Sequence, residues 1–231
     1  MFIDYEISSC HPLCTLTFSY LLSVRYIFAI HTLTVDIIRY RHKMANNDHY
    51  ILCDDDASLL DAINAIQSSS EVIFDCEGQD LGQKGGSLSL ISVRTLGSVP
   101  SKTYLFDVIS LTDDTLRPLF DIIQSAAVTK IVFDGRMDFS ELYHERHITL
   151  QGVLDLQLVD VDSRRQRGED EDDQHRRLSP YLHRREIAGQ PNSYSKVHRL
   201  CGLEQCLKEH KVISDESQEY KSGSNIFFIE K

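Results

Sequence analysis

Residues 72–78, which read Val-Ile-Phe-Asp-Cys-Glu-Gly, constrain the fold and the chemistry of this chain more than any other segment. The apolar run predicts a buried strand that a glycine ends. Because strand side chains alternate between faces, Asp75 and Glu77 project to one face, while Phe74 and Cys76 point into a core. Paired carboxylates favour the binding of a hard cation such as Mg²⁺. This ion keeps several bound waters, and substrate phosphates can take their places. The alternative is an edge strand with solvated acids.

The composition limits the class of protein. A chain of 231 residues that is 42% hydrophobic has room for one ordinary globular domain. The net charge of −11 argues against broad nonspecific binding to nucleic acid. Six cysteines without a C-x-x-C pair favour a reducing intracellular compartment, nucleus or cytoplasm. Cys10, His11 and Cys14 have no second ligand cluster nearby, so a zinc site there is not favoured.

Residues 1–43 differ from the rest of the chain. Two mostly apolar stretches, 13–24 and 26–38, are separated by Arg25, and acids precede them. This pattern fits neither a membrane-spanning helix nor a signal peptide. We interpret residues 1–43 as an atypical N-terminal extension or an artefact of the assumed translation start. A weak membrane anchor is the alternative, and we expect no membrane partner.

Hydrophobic periodicity predicts the order of the elements from residue 54 onward. Helices are expected after the acidic run 54–56, over 113–125 and over 200–210, and strands over 72–78, 87–93, 103–108 and 128–133. A Gly-rich turn at 81–86 joins the first two strands into a hairpin. Antiparallel strands followed by a helical crossover predict an α/β domain with a mixed sheet. In the first helix the predicted apolar face comprises Leu59, Leu60, Ile63 and Ile66.

Charge is segregated between residues 160 and 195, where an acidic block precedes a basic one. We predict a charged loop or insertion here. One interpretation is solvated surface. The other is a basic track for nucleic acid, which the overall charge does not provide. Its members would be Arg176, Arg177, Arg184, Arg185, Lys196 and Arg199.

Residues 130–142 run from a strand into a helix and place acids where the strand ends. Together with residues 72–93 and 153–157, they resemble the DEDD superfamily of 3′-5′ exonucleases, in the branch of ribonuclease D, Werner-type exonucleases and Egalitarian-like proteins. The resemblance covers about residues 50–210. It implies a ribonuclease H-like mixed β-sheet flanked by helices, an exonuclease-like domain over 44–210 and a divergent C-terminal tail over 211–231.

The resemblance also implies roles for individual residues. Asp75 would bridge two divalent ions, Mg²⁺ or Mn²⁺, while Glu77 would complete one ion and Asp138 would serve the other. Asp134 would instead form a supporting pair with Arg136. Two such ions polarise the attacking water and stabilise the leaving oxygen.

Two further positions follow from the resemblance. Asp155 is expected to be a structural cap at the start of the next element. Leu81 would lie near the terminal nucleotide of a single-stranded RNA or DNA 3′ end, or would simply make an apolar contact within the hairpin.

The resemblance weakens toward the C-terminus. Family members carry a third motif, a tyrosine or histidine followed by a fourth metal-binding aspartate. Tyr220 is followed by Ser224 at that spacing, and we interpret the H-x₄-D spacing of His210 and Asp215 as coincidence because it comes too early. The resemblance therefore predicts a metal-dependent 3′-5′ exonuclease impaired by truncation before this motif. The alternative is a noncatalytic nucleic-acid-binding adaptor with the same fold. The sequence leaves the oligomeric state open.

Overall fold

The computed structural model describes residues 50–97, 102–195 and 197–212. Strands within these ranges are β1 (Tyr50–Cys53), β2 (Glu71–Gln79), β3 (Ser87–Thr95), β4 (Thr103–Asp107), β5 (Thr129–Val132) and β6 (Val153–Asp155). Helices are α1 (Asp56–Gln67), α2 (Asp113–Ile123), α3 (Arg136–Arg146), α4 (Leu156–Gln166), α5 (Glu171–Leu178), α6 (Arg184–Gly189), α7 (Pro191–Tyr194) and α8 (Leu203–Glu209).

The six strands form one mixed sheet in the order β1-β4-β3-β2-β5-β6. Strands β2, β3 and β4 form an antiparallel meander. Strand β5 pairs with β2 in parallel, and β6 pairs with β5 in parallel. Strand β1 adds a parallel edge beside β4. This arrangement confirms the predicted α/β class, a ribonuclease H-like mixed sheet flanked by helices.

Helix α1 shows how local sequence forms an element and positions it. The Asp55 carboxylate caps the helix by accepting the Ser58 N–H at 2.8 Å. Leu59, Ile63 and Ile66 are buried in the main core, as predicted. Leu60 is 59% exposed, so its predicted place on the buried face is wrong. The position next to Leu59 is rotated by about 100° around a helix, which turns it away from the sheet.

The apolar residues form a large cluster and a small one. The large cluster joins β2, β3 and β4 to α1 and α2. The small cluster has three fully buried members, Ile131 of β5, Leu156 of α4 and Leu207 of α8. It is the apolar contact between the C-terminal part of the described chain and the sheet.

The prediction of a loop over residues 160–195 is wrong, because α4 continues to Gln166 and α5, α6 and α7 follow. The acidic and basic blocks contain helix-capping residues that also occur in solvated loops. Asp170 and Asp173 form a capping box at the start of α5, where acids also complement the helix dipole. The Gln174 side chain then donates to the carbonyls of Tyr194 and Val197, at 3.0 and 2.6 Å, which ties the segment together.

Other predicted boundaries shift or cannot be compared. The helix expected over 200–210 begins at Leu203 and ends at Glu209. Residues 1–43, with Cys10, His11 and Cys14, and residues 213–231 of the predicted tail lie outside the described residues. Among the described residues, no helix is both long enough and apolar enough to cross a membrane.

Candidate active site

Strand β2 presents two carboxylates on one face, as its alternation predicts. Phe74 and Cys76 are 2% and 4% exposed and lie in the main core. Asp75 and Glu77 point to the other face and are half-buried. The register with β3 shifts between Glu77 and Gly78, so the strand bends just after the second acid.

The third carboxylate reaches these two because β5 is shorter than β2. Strand β5 pairs with β2 only as far as Ile73, so Asp75 and Glu77 extend past its carboxyl end. The chain turns there into α3, whose first turn carries Asp138. The Asp138 side chain is 6% exposed, and the backbone N–H of Cys76 hydrogen-bonds to it. The structure thus brings Asp75, Glu77 and Asp138 together.

The pKa values of the three carboxyl groups are raised by their surroundings. Burial, with the negative charge of Asp75 as the next cause, raises the pKa of Asp138 to about 7. Burial also raises the pKa of Asp75, which hydrogen-bonds to Glu77. The pKa of Glu77 is raised by burial and by the charge of Asp75. Burial thus opposes the ionisation of all three carboxyl groups, and the charge of Asp75 further opposes that of Glu77 and Asp138.

These carboxylates fit a divalent cation. Among the described residues, no lysine or arginine forms an ion pair with Asp75, Glu77 or Asp138. Burying like charges without a counter-ion is unfavourable, and carboxylate oxygens are the ligands that Mg²⁺ and Mn²⁺ prefer. The site therefore has the ligand chemistry of a hard-metal site, and no side-chain cation within residues 50–97, 102–195 and 197–212 pairs with it.

The turn between β2 and β3 is fastened to α3. The Gly82 N–H donates to the buried Glu141 carboxylate at 2.9 Å, and the Ser140 hydroxyl donates to the Gly82 carbonyl at 2.9 Å. Sequence reasoning missed Glu141. Its signal is its spacing, because a residue three positions after Asp138 shares its helix face. Leu81, next to Gly82, is half-buried against the main core.

Two supporting residues lie as predicted. Arg136 holds Asp134 through two hydrogen bonds, at 2.5 and 3.0 Å, which confirms the predicted pair. Asp155 caps α4 by accepting the Gln157 N–H at 2.9 Å. Its carboxylate also accepts the N–H groups of Asp134 and Gly135. Asp155 therefore stabilises the turn from which α3 begins.

The basic residues predicted to bind nucleic acid differ in whether they pair with acids. Arg176 pairs with Asp173 at 2.5 Å, and Arg177 pairs with Glu169 and Glu209 at 2.9 and 2.7 Å. Arg176 and Arg177 line a cleft of about 500 Å³. Arg185 is exposed. Arg184 begins α6.

His210 lies in a different environment. Its Nε2 is 3.1 Å from the Asp160 Oδ1, and its side chain is 4% exposed. Asp215, its partner in the H-x₄-D spacing, lies outside the described residues. Sequence reasoning did not connect His210 with Asp160, because the two are separated by 50 residues.

Comparison with known proteins gives a family match and several similar folds. The family model for 3′-5′ exonucleases matches residues 50–161. No curated protein sequence matches the chain.

Three solved structures illustrate the similar folds. RNase D from Trypanosoma brucei in complex with RNA U12 is 25% identical, with 48% of this chain and 38% of that chain covered and a TM-score of 0.43. The Aedes aegypti Nibbler EXO domain is 19% identical, with 53% and 60% covered and a TM-score of 0.46. An EXD2 exonuclease domain soaked in Mg and GMP is 20% identical, with 51% and 61% covered and a TM-score of 0.42.

Proposed function

We propose that the protein is a metal-dependent hydrolase that removes nucleotides from the 3′ ends of single-stranded RNA or DNA, because residues 50–161 match the family model for 3′-5′ exonucleases. The observation that carries the proposal is the group formed by Asp75, Glu77 and Asp138. Burial raises the pKa of all three carboxyl groups, the charge of Asp75 raises those of Glu77 and Asp138 further, and none of the three has a cationic partner among the described residues. Such a group is unfavourable for a scaffold and useful for a metal-dependent hydrolase.

Exonucleases of this family depend on divalent metal ions. Asp75, Glu77 and Asp138 would hold two ions, Mg²⁺ or Mn²⁺. When bound, such a pair supplies an activated water and charge stabilisation for the leaving oxygen. The chain contributes the carboxylates, the Cys76 N–H that orients Asp138, and the pairs that fasten α3 to the hairpin turn.

Binding of the nucleic acid involves residues outside the carboxylate group. Leu81 lies one residue from Gly82, which is fastened to the helix of Asp138. A side chain there can contact the terminal base. Of the predicted phosphate contacts, which are Arg176, Arg177, Arg184 and Arg185, we assign the main one to Arg185 because its side chain is exposed, whereas Arg177 is held by Glu169 and Glu209.

The proposal is tested with labelled oligonucleotides and matched variants. Stepwise shortening of a 5′-labelled strand in Mg²⁺ or Mn²⁺, with early release of label from a 3′-labelled strand, is expected for the parent protein. Asp75→Asn, Glu77→Gln and Asp138→Asn should each lower the rate by about 100-fold or more, since altering metal-site residues has large effects. Asp121→Asn is the control, because Asp121 is exposed and forms only a surface pair with Arg117.

A second candidate function is a noncatalytic nucleic-acid-binding module with this fold. It is favoured by the make-up of the carboxylate group, because the described residues bring three carboxylates together and residues 197–212 contain no aspartate that could serve as the fourth metal ligand of the family's third motif. Folded parent protein that binds the strands and leaves both labels intact with Mg²⁺ and with Mn²⁺ would support this candidate and exclude the nuclease.

A further inference from the structure

A second group of metal-ligand residues lies on α4 and α8, on different elements from the carboxylates of β2 and α3. Asp160, Cys201 and Cys206 bring a carboxylate oxygen and two sulfur atoms within 4.8 Å of one another. Their exposed fractions are 0%, 3% and 1%. The Cys201 thiol donates to the Asp160 Oδ2 at 3.0 Å, and the His210 Nε2 lies 3.1 Å from the Asp160 Oδ1.

We propose that Asp160, Cys201, Cys206 and His210 form a structural zinc site. Two cysteine sulfurs, one imidazole nitrogen and one carboxylate oxygen are the donor types of four-coordinate zinc sites, and burial on all sides is typical of structural ones. Thiolates also select zinc over Mg²⁺ and Mn²⁺, which prefer oxygen ligands. The carboxylate site of β2 and α3 and this site would therefore take different metals.

The charges around the site agree with a divalent ion. The Arg164 Nε lies 3.1 Å from the Asp160 Oδ2, and the Arg164 side chain is 3% exposed. Zinc binding would release to solvent the protons that the two sulfurs and the His210 Nε2 carry, and would leave two thiolates, one carboxylate and a neutral imidazole. The charges of the zinc ion and of Arg164, whose Nη1 also lies 3.7 Å from Glu169, would offset these three negative charges, which burial favours.

The position of the site in the fold explains what zinc would contribute. Asp160 lies on α4, Cys201 precedes α8, Cys206 is on α8 and His210 caps its end. Within the described part of the chain, the apolar cluster that joins α8 to the sheet is small, with three buried members and five partly buried ones. A small core often needs a metal to hold an element in place. Asp160 is inside the family match, while the other three residues follow it.

The parent protein gives the first test, without any variant. Protein purified without chelators should contain about one zinc ion per chain, measured by plasma mass spectrometry. Alkylation of Cys201 and Cys206 by N-ethylmaleimide should be at least about tenfold faster after zinc removal, the size of effect expected for a metal site. Cys53, which is buried elsewhere, is an internal control whose alkylation should not change.

Substitution by Co²⁺ identifies the ligands. When Co²⁺ is added, the zinc-free parent should give thiolate-to-cobalt charge-transfer bands. These bands require sulfur ligands, so they report the site of Cys201 and Cys206 and not the carboxylate site. Cys201→Ser and Cys206→Ser should lose these bands, while Cys53→Ser keeps them. Asp160→Asn and His210→Gln should weaken cobalt binding by about tenfold or more.

Three results would overturn the zinc site. They are protein without zinc whose zinc-free form gives no cobalt charge-transfer bands, alkylation of Cys201 and Cys206 that is equally fast with and without zinc, and a disulfide between Cys201 and Cys206 in freshly purified protein. Nuclease assays play no part in these measurements, so the zinc site and the proposed function stand or fall separately.

Discussion

At the scale of single residues, the carboxylate group is held in an unfavourable state. Asp138 is buried beside Asp75, and burial is the first cause of its raised pKa. The N-terminal turn of α3 and the Cys76 N–H act in the opposite sense, since both favour the charged carboxylate. Burial and like charge prevail, so the metal-free protein carries an electrostatic penalty that a divalent cation would remove.

Removing the charge of Asp138 should therefore stabilise the metal-free protein in a pH-dependent way. A carboxyl group whose pKa is raised on folding has no penalty below its unfolded pKa near 4 and the full penalty above its folded pKa, here about 7. Asp138→Asn should increase the free energy of unfolding by on the order of 2 kcal/mol at pH 8 and by little at pH 5, since one pKa unit corresponds to about 1.4 kcal/mol.

The measurement is urea unfolding in EDTA at several pH values. Asp121→Asn, which removes an exposed carboxylate, should show no gain that grows with pH. An equal effect of Asp138→Asn at pH 5 and pH 8 would contradict the assigned electrostatics.

At the scale of elements, the site depends on how the β2–β3 turn docks on α3. Gly82 has a positive φ of 70°, and a Cβ built there would lie 2.6 Å from the Met137 carbonyl oxygen. No other residue allows so close an approach of two backbones. The same turn offers a matched control in Gly85, which has a φ of 84° and nothing within 4 Å of a built Cβ.

Alanine substitutions at these two glycines should separate backbone strain from docking. Gly85→Ala should cost about 1–2 kcal/mol, because its backbone is left-handed. Gly82→Ala should cost about 1–3 kcal/mol more, because the turn must also move away from α3. Urea unfolding measures the two costs. Nuclease activity should fall only in Gly82→Ala, and equal losses of stability would argue against the docking of this turn.

At the scale of the whole molecule, the proposed function requires an acidic chain with a net charge of −11 to bind a polyanion. The structure shows that part of its basic charge is already neutralised. Arg177 is held by Glu169 and Glu209, whereas Arg185 is exposed. Only arginines that are not engaged by acids are fully available to displace counter-ions from phosphates.

Salt dependence of oligonucleotide binding should distinguish these two arginines. Arg185→Ala should weaken binding and lower the slope of log K against log salt by about 1. Arg177→Ala should leave the slope nearly unchanged and instead lower stability, because Glu169 and Glu209 lose their partner. Fluorescence anisotropy between 50 and 200 mM salt, about the range in which such slopes are read, measures both. A larger slope change for Arg177→Ala would reverse the assignment.

Local sequence determined those features that depend on a few neighbouring residues. Alternation along β2 placed Asp75 and Glu77 on one face, the Asp155 carboxylate capped the next helix, and periodicity gave α1 and α2. Short edge strands such as β1 and β6 were not predicted, because a few residues carry too little periodic signal. The helices over 160–195 were missed because their charge blocks resemble solvated loop.

Only the tertiary structure decided which distant residues meet. The contact between Gly82 and Glu141 joins positions 59 residues apart, and that between Asp160 and Cys201 joins positions 41 residues apart. Sequence periodicity encodes which face of an element is buried and says nothing about its partner. The order of strands in the sheet and the short length of β5 bring Asp138 to β2, and the packing of α8 on α4 brings two cysteines and a histidine to Asp160.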